Sequence, residues 1–169
     1  MRHMYGVEIQ VPDGKLPGFY AQVIHKIGDD VNVFDRDKLL FVVEGEEDRD
    51  KLEAILARPN MLGDVFSLLL LPEAIEMASL EDIGFLSQNG HLYLYAERVA
   101  LFTLSDDKGS EKDRWAAEEQ LREHVHGQFS DPSTFSTVFI IDSSLPDLVE
   151  GIARAYQLSV RWVHRGDHV

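Results

Sequence analysis

Apolar residues alternate with polar ones in "YGVEIQV" (5–11), which predicts a strand with Val7, Ile9 and Val11 on one face. After the turn-forming "PDGKLPG" the period changes. Leu16, Phe19, Tyr20, Val23, Ile24 and Ile27 recur at helical spacing and predict an amphipathic helix. Pro17 suits its first turn and Gly28 its C-terminal stop. "VNVF" (31–34) and "LLFVVE" (39–44) then read as two strands of a hairpin around the polar turn "DRDK". Leu52, Ile55 and Leu56 form a short helical stripe that ends at Arg58-Pro59. Its first turn is Glu46, Glu47 and Asp48, acids that complement the positive end of the helix dipole.

In "DVFSLLLL" (64–71) periodicity does not separate a strand from a buried helical turn. "PEAIEMAS" (72–79) reads as a short helix opened by Pro72. Three apolar runs, "IGFLS", "HLYLYAE" and "VALFTLS", predict an antiparallel meander over residues 83–105, with Asn89-Gly90 as its first turn. Tyr93 and Tyr95 share one face of it, Leu92 and Leu94 the other. A charged helix follows within "SEKDRWAAEEQLREHVHGQ", opened by a Ser110/Asp113 capping box, with a thin stripe of Trp115, Leu121 and Val125. "SDPSTFS" (130–136) reads as a loop. The last unit is "STVFIID" (136–142), a helix carrying Leu145, Leu148, Val149, Ile152, Ala153 and Tyr156 on one face, and "SVRWVH" (159–164). Strand, helix and strand with short joins predict a βαβ unit. The expected fold is α+β: a mixed sheet with the meander and the C-terminal βαβ unit, helices packed on the sheet, and one domain over 1–169. No internal repeat is visible.

Composition narrows the function classes. The chain has 169 residues, 44% hydrophobic and 27% charged, which fits a globular protein with a sizeable core. It has no cysteine, which excludes disulfides, thiolate metal sites and a cysteine nucleophile and suits the cytoplasm. The longest apolar run is far too short to span a membrane. The net charge is −14, from 30 acids against 16 Lys and Arg, a field that repels nucleic acid and anionic membranes and attracts basic proteins. Neither a phosphate-binding loop, a Gly-x-Ser-x-Gly elbow nor a His-Glu-x-x-His pair is present. Nothing calls for a cofactor or a metal. His124 and His126, taken as the end of a helix, point in different directions and do not make a ligand pair.

The charge is uneven. Residues 29–97 carry 16 acids and five bases. From Pro59 to Glu97 there is no Lys or Arg at all, against six acids. Helix capping explains Glu46, Glu47 and Asp48 but not the remainder, and solubility needs a net charge of only roughly 2–8. The acids of the 35–53 hairpin and helix, Asp35, Asp37, Glu44, Glu46, Glu47, Asp48 and Asp50, are therefore the candidate partner-binding residues. The expected function is that of an acidic inhibitor, of the kind found among immunity proteins and phage anti-defence proteins. It would occlude a basic site on a partner, for example a nucleic-acid-handling enzyme. The alternative is a small cytoplasmic enzyme whose site lies at the C-terminal end of the 136–142 strand, with Asp142 and either His164 or His168. Against that, the favoured reading is that Asp142, Ser143 or Ser144 caps the next helix, and Ser144 with Asp147 matches a capping box. A third expectation is a homo-oligomer that docks through the Tyr93/Tyr95 face.

Overall fold

The computed structural model describes residues 1–14, 17–105 and 108–166. Leu16 of the expected helical stripe and His168 of the alternative site lie outside them. The elements are β1 (Arg2–Ile9), α1 (Pro17–Asp30), β2 (Asp35–Asp37), β3 (Leu40–Val43), α2 (Glu46–Ala57) and β4 (Leu62–Leu70). There follow α3 (Leu80–Ile83), β5 (Gly84–Leu86), β6 (Leu92–Tyr95) and β7 (Val99–Ser105). The chain continues through α4 (Glu111–Leu121), β8 (Val125–Ser130), β9 (Thr137–Asp142), α5 (Pro146–Ala155) and β10 (Ser159–His164).

The α+β class holds, but the expected mixed sheet is two sheets. One has six strands in the order β2-β3-β1-β4-β6-β5, the other four in the order β10-β7-β9-β8, and every pairing in both is antiparallel. The meander breaks after β6, because β7 leaves for the second sheet. The C-terminal strand–helix–strand is present. Its strands β9 and β10 run parallel to each other with antiparallel β7 between them.

These orders hold a repetition the sequence hides. β1-α1-β2-β3-α2-β4 and β7-α4-β8-β9-α5-β10 are both βαββαβ units, and in both the fourth, first, third and second strands lie side by side. This is the split βαβ, ferredoxin-like connectivity, present twice. In each unit both helices cover one face of the sheet. Val23 and Ile27 of α1 and Leu52 and Leu56 of α2 pack on Val7, Ile9, Phe41 and Val43. Ala117 and Leu121 of α4 and Val149 and Ala153 of α5 pack on Ala100, Phe102, Phe139 and Ile141.

The helix-free faces are buried in different ways. In the second sheet, Val99, Leu101, Phe129, Val138 and Ile140 pack against Leu69, Leu92 and Leu94 of the first. The first sheet curls on itself. Its edge strand β2 meets the β5–β6 hairpin at the opposite edge, and the enclosed face holds Met4, Val42, Leu68, Leu70 and Tyr93. Since side chains alternate along a strand, the β6 hairpin feeds both cores: Tyr93 inward, Leu92 and Leu94 outward.

Several expected elements change for physical reasons. "VNVF" is not a strand; β2 is the polar Asp35–Asp37 itself, and the turn is Lys38-Leu39, with Lys38 at φ 53°. Gly28 does not stop α1, which runs to Asp30. Residues 72–79 are not helical: Ile75 and Met77 lie on the inter-sheet core, and Gly127 makes room for them, since a Cβ there would come within 3.0 Å of Met77 Cγ. Tertiary packing overrides local propensity in that segment. "VHGQFS", read as the end of a helix, is strand β8, and Trp115 points to solvent rather than into a stripe. The Ser110/Asp113 capping box forms as expected.

Candidate functional site

The acids predicted from the hairpin and second helix divide into two groups. Glu46, Glu47 and Asp48 form the first turn of α2, where dipole complementarity favours them. Glu46, Glu47 and Asp50 are exposed. The Asp48 carboxylate accepts the backbone N–H of Asn32 at 3.1 Å and so fixes the end of α1 beside the start of α2. That contact adds Asp29 and Asp30, the exposed last residues of α1, to the same surface. Glu44 binds the Arg2 guanidinium. Arg49 is held between the Tyr5 ring, 4.7 Å away, and the carboxylates of Asp50 and Glu46, while Lys51 pairs with Glu47 at 3.0 Å. Carboxylates outnumber the paired cations Arg2, Arg49 and Lys51 here, and the surface stays anionic.

Asp35 does not belong to that surface. It is 3% exposed and faces the interior of the curled sheet. Its Oδ1 accepts from Asn89 Nδ2 at 2.7 Å and from the Arg36 backbone N–H at 2.8 Å. Its Oδ2 accepts from the Tyr93 hydroxyl at 2.8 Å and from His91 Nδ1 at 2.9 Å. Burial alone pushes this carboxyl up, but the hydrogen bonds from Ser87, His91, Tyr93 and Asn89 outweigh it and hold the pKa far below the ordinary carboxylate range. An ionised carboxylate only accepts, so His91 carries its proton on Nδ1. Burial, then the hydrogen bond to Asp35, raises the Tyr93 hydroxyl well above the usual tyrosine value. Asp35 is the latch that closes the curled sheet, and it is unavailable to a partner. Asp37, two residues on, is partly exposed at the other end of β2.

No sequence pattern points to His91. Asn89-Gly90 marked the hairpin, yet nothing local says that its far side meets a residue 56 positions earlier. The latch also touches the acidic surface: Phe34 lies 5.1 Å from the His91 ring, and the Arg2 guanidinium that binds Glu44 lies 4.8 Å over Phe34.

Of the alternative site the structure describes Asp142 and His164, which it does not join; His168 lies outside the described residues. Asp142 Oδ1 accepts from the Ser144 hydroxyl at 2.6 Å and its N–H at 2.9 Å, an Asx-type turn. Those bonds, the hydroxyl first, hold its pKa below the ordinary value. The expected Ser144/Asp147 capping box does not form, since α5 starts after Leu145 without a side-chain cap. His164 Nε2 bonds to the Ala96 carbonyl at 2.7 Å and makes no hydrogen bond to Asp142. His124 lies in a turn and His126 in β8. Tyr93 is fully buried, so the Tyr93/Tyr95 face is not a free docking face.

Among the described residues no group of three or more His, Asp or Glu is placed to hold a metal ion. None of their helices is long and apolar enough to cross a membrane. No protein-family model, curated protein or solved structure matches the chain.

Proposed function

We propose that this protein binds a basic protein partner through the surface made by the end of α1 and the start of α2, and inhibits it by occluding its basic site. The observation that carries this reading is the Asp48–Asn32 hydrogen bond of 3.1 Å, which joins two acid clusters, 29–30 and 46–50, into one surface. Charges concentrated in this way raise the association rate with a cationic partner, and the rate falls as salt rises. The surface has a defined edge. The groove between α1 and α2 is lined by Lys26, Lys51 and Arg58 with Asp30, so the sign of the charge reverses toward the C-terminal half of α2. A partner that reads this boundary needs a basic patch with acids at one margin.

The test is capture from the native host's lysate at low and moderate salt. It compares the natural protein with a Glu46→Lys, Glu47→Lys, Asp50→Lys variant that keeps Asp48 and its bond to Asn32. The expected outcome is one basic protein, retained by the natural chain at low salt, lost as salt rises and not retained by the variant. Adding the purified chain should block that partner's activity. Equal capture by the variant means that the acidic surface is not the binding site.

A further inference from the structure

The curled first sheet has an open end away from the acidic surface. In the β1–β3 register Tyr5 faces Val43 beside α2, whereas Glu8 faces Leu40 at the far end. There a cavity of about 340 Å³ lies between the β2–β3 turn and the β4–β6–β5 edge. Its walls include Phe66, Phe85 and Tyr95, and its polar groups are Glu8, Asp37 and Lys38. Phe66 and Phe85 stand 5.4 and 5.9 Å from Tyr95, tilted 49° and 45° to it, so the three rings form a concave apolar wall rather than a flat stack. The volume is that of a small-molecule pocket, and the mouth of a closed or nearly closed sheet is a common place for one.

We infer that this cavity is a binding site for a small organic cation, an alkyl or aryl ammonium. Aromatic faces attract a cation through their quadrupole, and the attraction grows where water is excluded. Tyr95 already serves in this way within the chain: the Arg98 guanidinium lies 4.7 Å from its centroid and is not among the groups lining the cavity. That guanidinium is engaged by the Asp82 carbonyl at 2.8 Å. The Glu8 and Asp37 carboxylates, by contrast, have no hydrogen-bond or ion-pair partner among the described residues, which leaves both for a cation between them and the rings. Lys38 is the opposing charge; it sits at the tip of the turn, exposed and at positive φ, where its ammonium can turn to solvent. The site is separate from the partner-binding surface, and neither depends on the other.

The experiment is NMR titration of the isolated protein with benzyltrimethylammonium, with benzyl alcohol as the neutral and benzoate as the anionic counterpart. Saturable shifts confined to Phe66, Phe85, Tyr95 and the 37–40 turn, with the ammonium binding tightest, support the proposal. Glu8→Gln with Asp37→Asn should weaken the ammonium roughly five-fold, the scale of two exposed charge pairs, and leave benzyl alcohol unchanged. Lys38→Gly, which suits the positive φ, should tighten it. Both variants alter side chains that are exposed or partly so, and an unchanged amide spectrum elsewhere confirms the fold. Equal binding of the three compounds reduces the cavity to an apolar hole and overturns the cation assignment. A preference for benzoate, or the absence of saturable shifts, overturns it outright.

Discussion

His91 Nδ1 lies 2.9 Å from the Oδ2 of Asp35, and this contact spans the two edges of a six-stranded sheet. Neither residue is near the other in sequence, and both belong to strands or turns that pair elsewhere. The carboxylate they share with Tyr93 and Asn89 converts an open sheet into a closed inner core. Two consequences of that closure can be measured.

Asp35→Ala removes the acceptor for a fully buried tyrosine hydroxyl and for Asn89 at once. Leaving the buried Tyr93 hydroxyl unsatisfied, together with the loss of the bonds from His91 and Asn89, is expected to destabilise the chain by about 3 kcal/mol. That corresponds to a fall in Tm of roughly 6–12 °C for a chain of this size. Tyr93→Phe, which removes one donor and leaves Asp35 the others, should cost about 1–2 kcal/mol. Urea denaturation followed by circular dichroism reads both. A loss below the Tyr93→Phe value for Asp35→Ala would mean that the latch is not what closes the sheet.

The same carboxylate makes stability depend on acid. Its folded pKa lies below the ordinary 3.8, so its contribution is fully present above that value and is lost as pH falls toward the folded pKa. Unfolding midpoints measured between neutral pH and pH 2 should decline below about pH 4 in the natural protein. In Asp35→Asn, whose starting stability is lower, that part of the decline should be missing. Parallel curves for the two proteins would contradict the assignment.

Gly84 and Gly6 offer a contrast in what a methyl group meets. At Gly84 a Cβ would fall 2.1 Å from the Tyr93 carbonyl oxygen, a backbone atom of the paired strand, although the φ of −179° is ordinary extended chain. At Gly6 it would fall 2.9 Å from Leu68 Cδ1, the far end of a side chain. Gly84→Ala should therefore cost about 3 kcal/mol and Gly6→Ala about 1 kcal/mol. Thermal melts of the two variants check the order, and a reversed order would show that the β5–β6 pairing tolerates displacement.

The two tryptophans report on different surroundings. Trp115 is 64% exposed on α4. Trp162 donates its indole N–H to Glu150 at 2.9 Å and lies 5.5 Å from the Phe102 ring. Trp115→Phe should remove the red-shifted emission that acrylamide quenches readily and leave a blue-shifted, weakly quenched signal. Removal of the blue component instead would place Trp115 inside.

What the sequence revealed follows from how local each determinant is. The first turn of α2, the Asn89-Gly90 hairpin and the C-terminal strand–helix–strand were legible because their causes lie within a few residues: a dipole, a turn type, an apolar period. β2 was not. Asp35, Arg36 and Asp37 read as a turn because they are polar, and they form a strand because partners more than 50 positions away satisfy Asp35. Tyr93 read as exposed because alternation names two faces and does not say that both are covered. β8 was lost because Gly127 stands where an apolar residue would continue its alternation, and its pairing with β9 decides the matter. The repeat escaped because connectivity, not residue identity, is what the two units share. The acidic surface was half legible. Its α2 acids were read, but the bond from Asn32 to Asp48 that adds the end of α1 to it was not.

The β5–β6 hairpin also bears on whether the chain can be divided. It follows the first βαββαβ unit and precedes the second, and belongs wholly to neither. Tyr93 completes the inner core of the first, while Leu92 and Leu94 form part of the floor on which the second rests. A cut before residue 84 would leave the first unit with an open sheet and Asp35 without the partners it latches onto. A cut after residue 97 would leave a closed first unit with a leucine face turned to water. Two halves that look alike in outline are therefore not interchangeable building blocks, and the seam between them is a shared part.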